Sequence, residues 1–290
     1  VSVTWPGGAS ASDSAIVRLD DTANPVVDSS AMAPNPGAST TYSVDATSLN
    51  EGAINLSVIV TDTAGNPTTF AATAATKDVV DPGMPTSAAV AAGGGNSANV
   101  INISSVGTVQ VDVVWPGGAD ATDTATITLD DGVNTPVTSG SMAANPGNTV
   151  SYTVDATSLN DGAITLTVNL SDVNGNTASF SGTAASKDTV APVLPTAASV
   201  PMGGSNPADF INIATEASVT VDVAWPAGAD ATDTATVSID DSANPVVTSG
   251  SMAPNASNTV SYSLDSSSLN EGAIAISVDV TDAAGNTATF

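Results

Sequence analysis

Thr108-Val109-Gln110-Val111-Asp112-Val113-Val114-Trp115 is the stretch that decides the fold of this chain. Valines at 109, 111 and 113 alternate with Gln110 and Asp112, the period-two pattern of a strand with one face in a core and one toward water. The pattern belongs to a repeat. Trp5, Trp115 and Trp225 stand 110 residues apart, as do Tyr42, Tyr152 and Tyr262, and Phe70, Phe180 and Phe290, with no insertion between them. Solenoid units are roughly 20–50 residues long, so a period of this size is a whole small domain recurring in tandem.

The unit from Asp78 to Lys187 is the complete copy. Beside the opening stretch, Ser97–Ile103 reads as a first strand and Thr124–Leu129 as a third, with short edge strands between Val133 and Ala143, where Pro136 cannot donate to a central ladder. Thr149–Val154 follows, then a polar crossover anchored by Leu159. A hairpin of Ala163–Ser171 and Thr177–Ala184 folds around Asp172-Val173-Asn174-Gly175-Asn176. About seven short strands with turns every 8–12 residues is the pattern of an immunoglobulin-like β-sandwich. The expected fold is therefore all-β: tandem sandwiches at 1–77 (lacking its first strand), 78–187 and 188–290, divided at Lys77/Asp78 and Lys187/Asp188. Strands of 6–8 residues at ~3.3 Å each make domains roughly 35–45 Å long, and like-charged surfaces favour an extended array.

The charge is extreme, with 3 Lys+Arg against 29 Asp+Glu and a formal net charge of −26. Such a surface repels nucleic acid phosphates and anionic headgroups and attracts cations, so nucleic acid is excluded as a partner. The abundance of alternating Val, Thr, Ile and Leu argues for folded domains rather than acidic disorder. With no Cys there is no disulfide framework, and with no His the commonest general base and metal ligand is missing. Asp and Asn oxygens without soft ligands suit a hard cation such as calcium. No apolar run approaches the ~20 residues of a membrane helix, and the chain opens in mid-pattern, as a fragment of something longer would.

Asn99-Val100-Ile101-Asn102, the Leu159-Asn160-Asp161-Gly162 turn, the Thr61-Asp62-Thr63-Ala64-Gly65-Asn66 and Thr281-Asp282-Ala283-Ala284-Gly285-Asn286 hairpins and the Asp188-Thr189-Val190-Ala191-Pro192 linker resemble the bacterial Ig-like repeats of giant surface adhesins, of the RTX and biofilm-associated type. The resemblance covers the whole chain. It implies an extracellular extender region, often stiffened by calcium, that holds an adhesive domain away from the bacterial surface and supports adhesion or biofilm formation. The chain departs from the pattern at its first joint, Asp78-Val79-Val80-Asp81-Pro82.

Ig-like topology places each linker beside the loops that follow strands two and six of the next domain. Around Asp188 this predicts Asp230, Asp233, Asp282 and Asn286, facing Asp130, Asp131, Asp155 and Asp161. Around Asp78 it predicts Asp120, Asp123, Asp172 and Asn176, opposite Asp20, Asp21, Asp45 and Glu51. Such crowding would be repulsive without a cation, and calcium takes 6–8 oxygens. The candidate metal ligands are accordingly Asp78, Asp120, Asp123, Asp172, Asp188, Asp230, Asp233 and Asp282. Asp equally serves as a turn residue that caps its own backbone, so solvating turns are the competing reading.

The Trp residues read as core cover, with a sugar-stacking platform as the alternative, and the Tyr residues as core with a hydrogen-bonding tip. Lys77 and Lys187 read as ion-pair partners at the domain exits. Without His or a Gly-x-Ser-x-Gly elbow there is no base for a nucleophile, and no enzyme is expected. Besides the extender, a self-assembling filament or surface layer and a carbohydrate-binding array remain, the partners being neighbouring repeats and, by strand addition at the first unit, other copies.

Overall fold

The computed structural model describes residues 1–93, 96–203 and 207–290, and these are all-β apart from the 3-10 turns Val106–Thr108 and Glu216–Ser218. They form two compact units, Val1–Asp81 with Asn174–Asn176, and the remainder from Pro82 to Phe290.

The complete sandwich lies in the second unit. Its smaller sheet runs Thr149–Val154, Val109–Val114, Ser87–Val90, all antiparallel. The larger runs Val137–Thr138, Thr124–Asp130, Gly162–Ser171, Ala185–Lys187, Val100–Ile101; Met142–Ala143 and Thr177–Ser181 also pair into it. Alternation sets the core. Val109, Val111 and Val113 from one sheet meet Ile127, Leu129, Ile164, Leu166 and Val168 from the other, all nearly free of solvent contact, with Trp115 and Tyr152 closing the cluster. Each such aliphatic side chain stabilises by roughly 1.5–3 kcal/mol when fully buried.

The same unit holds a second sandwich with its own core around Val221, Val223, Val237, Ile239 and Val278. Its sheets are Ala197–Ser199, Val219–Ala224, Thr259–Leu264 and Val247–Thr248, Thr234–Asp240, Ala275–Thr281, Thr287–Thr289. The first unit pairs Ser2–Thr4 with Ser39–Thr41 over a sheet of Val27–Asp28, Ser14–Asp20, Gly52–Thr61 and Pro67–Ala71, with Ala75–Lys77 on the start of Gly52–Thr61.

Three sequence expectations are corrected. The strand expected at Ser97–Ile103 shrinks to Val100–Ile101, because Asn99 sits at φ 61 and the buried Asn96 amide donates to the carbonyls of Ala91, Ser97 and Val100, turning the chain. The strand on Val109–Val114 is instead Ser87–Val90, whose Ala-rich text carried little β signal. The strand expected at Thr177–Ala184 breaks into Thr177–Ser181 and Ala185–Lys187 at Gly182, where a Cβ would meet Leu166 Cδ2 at 2.2 Å and the Ala88 carbonyl oxygen at 2.8 Å. There the chain leaves one sheet to touch the other, Gly182 donating to the Leu166 carbonyl and Thr183 to that of Ala88.

The Tyr hydroxyls are a further correction: Tyr42, Tyr152 and Tyr262 are buried, but their oxygens find no hydrogen-bond partner among the described residues, and desolvation pushes all three phenols up. The Trp residues are core, only 8%, 1% and 3% exposed at Trp5, Trp115 and Trp225. Lys187 is also buried. Its ammonium donates to the Leu159 carbonyl while Asp161 stands off at 3.8 Å; Lys77 does the same with the Leu49 carbonyl at 2.5 Å and Glu51 at 3.8 Å. These lysines pin the crossover to the exit strand, and their charge partners are secondary.

Candidate functional site

The joint between the second and third sandwiches is built by one hairpin. In Thr281–Asn286 the turn closes because Gly285 adopts φ 82, and both Asp282 oxygens are used locally: Oδ1 accepts from the amides of Ala284 (2.9 Å) and Asn286 (2.8 Å), and Oδ2 from Asn286 Nδ2 (2.9 Å). This presents Asn286, 2% exposed, to the preceding sandwich. Its Nδ2 donates to the carbonyls of Asp188 and Val190, each at 3.1 Å, and its Oδ1 accepts the Ile103 amide at 2.7 Å.

Asn102 answers from the other side. Fully buried, it spends its side-chain oxygen on the amides of Ser104 and Ser105 and on both their hydroxyls, which leaves its amide nitrogen to donate to the Ala284 carbonyl at 3.2 Å. Sequence reading did not assign Asn102 to the joint. Asn with Ser two and three residues on is an Asx-turn signal that could have marked it.

Among the carboxylates, Asp233 is distinctive. It is 5% exposed, and its carboxyl is pushed up first by burial and then by the charges of Asp230, Asp282 and Asp188. No hydrogen bond is among the influences on it. The linker Asp188, the loop pair Asp230 and Asp233 and the hairpin Asp282 thus share one electrostatic neighbourhood. Asp230 caps Thr232 through its amide (2.8 Å) and hydroxyl (2.9 Å), and Asp188 caps Val190 (3.0 Å). As they stand, no three acidic side chains among the described residues converge into a metal cluster.

The facing acids divide. Asp161 accepts the Thr189 hydroxyl at 2.9 Å and so touches the linker, whereas Asp130, Asp131 and Asp155 cap Gly132, Val133 with Asn134, and Thr157 in their own turns.

The residues named for the first joint are distributed between the units. In the first, Asp78 caps the Val80 amide (3.0 Å), Glu51 accepts the Val79 amide (2.9 Å), and Asn176 Nδ2 donates to the Asp78 carbonyl (3.3 Å). Asp20, Asp21 and Asp45 cap local turns there. In the second, Asp120 caps Thr122, Asp123 is 4% exposed and accepts the Gly83 amide at 3.2 Å, and Asp172 opens the hairpin turn after Gly162–Ser171.

Fold and joint together define a tandem array of acidic β-sandwiches. No family model matches the chain, and no curated protein does. Among solved structures it is similar to a Ca2+-stabilized adhesin that helps an Antarctic bacterium reach out and bind ice, at 23% identity and TM-score 0.42, covering 100% of this chain and 66% of that one. A tetra-tandem repeat in the extending region of a large adhesion protein gives 22% identity and TM-score 0.28, covering 100% of this chain and 68% of the other. The FN1–FN3 domains of chicken CNTN1 give 12% identity and TM-score 0.39, with 100% and 93% covered.

Proposed function

We propose that this chain is a structural extender of a bacterial cell-surface adhesin, whose joint at Asp188 is stiffened by calcium. The observation that carries the reading is Asp233: a carboxylate buried at a domain joint, with no hydrogen-bond donor among the described residues and three further carboxylates around it. A cation is the partner whose charge suits such a site, since an unpaired buried charge is costly. The donors are all oxygen, which fits calcium, and Asp233 with Asp188, Asp230 and Asp282 would hold it. When bound, the ion supplies charge neutralisation shared between linker and domain. The protein supplies the rest: Asn286 and Asn102 fix the hairpin against the exit of the second sandwich, and Asp282 fixes the shape of that hairpin.

The role is mechanical rather than enzymatic, and its setting is outside the cell, where calcium is plentiful. A sugar-binding array is disfavoured because the repeated Trp and Tyr residues lie in the cores. Calcium titration calorimetry tests the reading. The intact chain should bind calcium and gain stability by mass action, about 2.7 kcal/mol at a hundredfold excess over Kd. Asp233→Asn should abolish binding at this joint while raising the stability of the calcium-free protein. Absence of calcium binding, or a melting temperature unchanged by chelator, would refute the reading.

A further inference from the structure

Asn174-Gly175 is the one Asn-Gly pair in the chain, and it stands in the turn between Gly162–Ser171 and Thr177–Ser181. The turn itself does not require the asparagine. The sister hairpins close with Ala64-Gly65 and Ala284-Gly285, and the three glycines share one left-handed conformation, φ 87 at Gly65, 93 at Gly175 and 82 at Gly285. What the asparagine adds is a bond within the first unit: its Nδ2 donates to Asp78 Oδ2 at 2.5 Å, on the carboxylate whose Oδ1 caps the Val80 amide.

An asparagine before glycine is also an electrophile. With no Cβ on the following residue, that residue's backbone nitrogen can approach the side-chain amide carbon and close a five-membered ring. Asn174 and Gly175 are both exposed, and no atom lies within 4 Å of where a Gly175 Cβ would stand. The two Asp-Gly pairs of the chain, which could cyclise in the same way, are held: the Gly132 amide donates to Asp130 Oδ1 at 2.7 Å, and Gly162 lies in a ladder opposite Lys187.

We infer that Asn174-Gly175 is a site of spontaneous deamidation, and that the reaction severs the bond to Asp78. The Gly175 nitrogen, losing its proton to base, attacks Asn174 Cγ; the Cγ–Nδ2 bond breaks and the nitrogen leaves, protonated, as ammonia. Water then opens the succinimide at either carbonyl to give aspartate or isoaspartate, with no change of oxidation state. Either product puts a carboxylate where an N–H donor stood, so attraction to Asp78 becomes repulsion between like charges. The change runs one way, and it marks the age of the protein. The inference is independent of the calcium reading.

The test holds the intact chain and, separately, a free peptide of the sequence Leu170–Ser179 in mildly alkaline buffer, and follows both by mass spectrometry with peptide mapping. The chain should exchange a side-chain NH2 for OH at Asn174 before any other asparagine, at a rate within about tenfold of the peptide's, because an exposed turn needs only local opening. Amide spectra of the aged chain should show the Asn174 Nδ2 signal lost and the Val80 amide shifted. Asn174→Ala, the residue of the sister hairpins, should remove the early product. A slower rate in the chain, an earlier product at another asparagine, an unmoved Val80 amide after the reaction, or the same early product in Asn174→Ala would overturn the inference.

Discussion

Asn286→Ala isolates what holds the second joint together. The substitution removes four side-chain hydrogen bonds. One, to Asp282 Oδ2, lies within the hairpin; two reach the linker carbonyls of Asp188 and Val190, and one takes the Ile103 amide of the second sandwich. At roughly 0.5–1.5 kcal/mol net per bond, the three together contribute about 1.5–4.5 kcal/mol. The upper half of that range is favoured because Asn286 is 2% exposed and its loss strands buried polar groups. The first sandwich provides an internal control. Asn66 makes the same bond to Asp62 Oδ2, at 2.9 Å, but is exposed and makes no other side-chain bond among the described residues. Asn66→Ala should therefore cost only the hairpin term, about 1 kcal/mol or less. Urea unfolding of both variants, followed by amide exchange of the Ile103 N–H, gives the comparison. The expected result is a difference above about 1.5 kcal/mol, with fast exchange at Ile103 in Asn286→Ala alone. Equal costs for the two variants would refute the claim that the hairpin ties one sandwich to the next.

Two further outcomes follow from the cores and turns. Trp5 Nε1 donates to Thr40 Oγ1 at 3.1 Å, whereas Trp115 Nε1 is buried without a partner among the described residues and position 150, the equivalent of 40, is Val; Val150→Thr should raise stability by about 1 kcal/mol in denaturant melts, and a loss of stability would show that the hydroxyl cannot reach the indole. Asp131 accepts the amides of Asn160 (2.6 Å), Asn134 and Val133, which hold its carboxyl far below the usual range, as in the matching turns of Asp21 and Asp241. A lowered folded-state pKa contributes stability that is present above the unfolded value of 3.8 and is lost as pH falls through the folded one, so Asp131→Asn should be less stable near neutrality and the gap should close in acid. A gap independent of pH would contradict this.

The sequence was sufficient for the repeat, for the all-β fold class and for the turns. Alternating Val at 109, 111 and 113 has one low-energy solution once a core exists, and an Asp-x-x-Gly-Asn hairpin closes on itself. Even the acidic neighbourhood of Asp188, Asp230, Asp233 and Asp282 followed from strand order, because topology alone brings loop ends together. What it did not carry was anything set by the approach of distant backbones. Ser87–Val90 has weak propensity and becomes a strand only because Val109–Val114 offers it an edge. Gly182 is glycine because Leu166 and Ala88 leave no room for a Cβ, a fact written in the two sheets and not in the local text. Likewise strand order placed Asn286 beside Asp188, but that its side chain would be buried and would bond the Ile103 amide was decided only by the packing of one sandwich on the next.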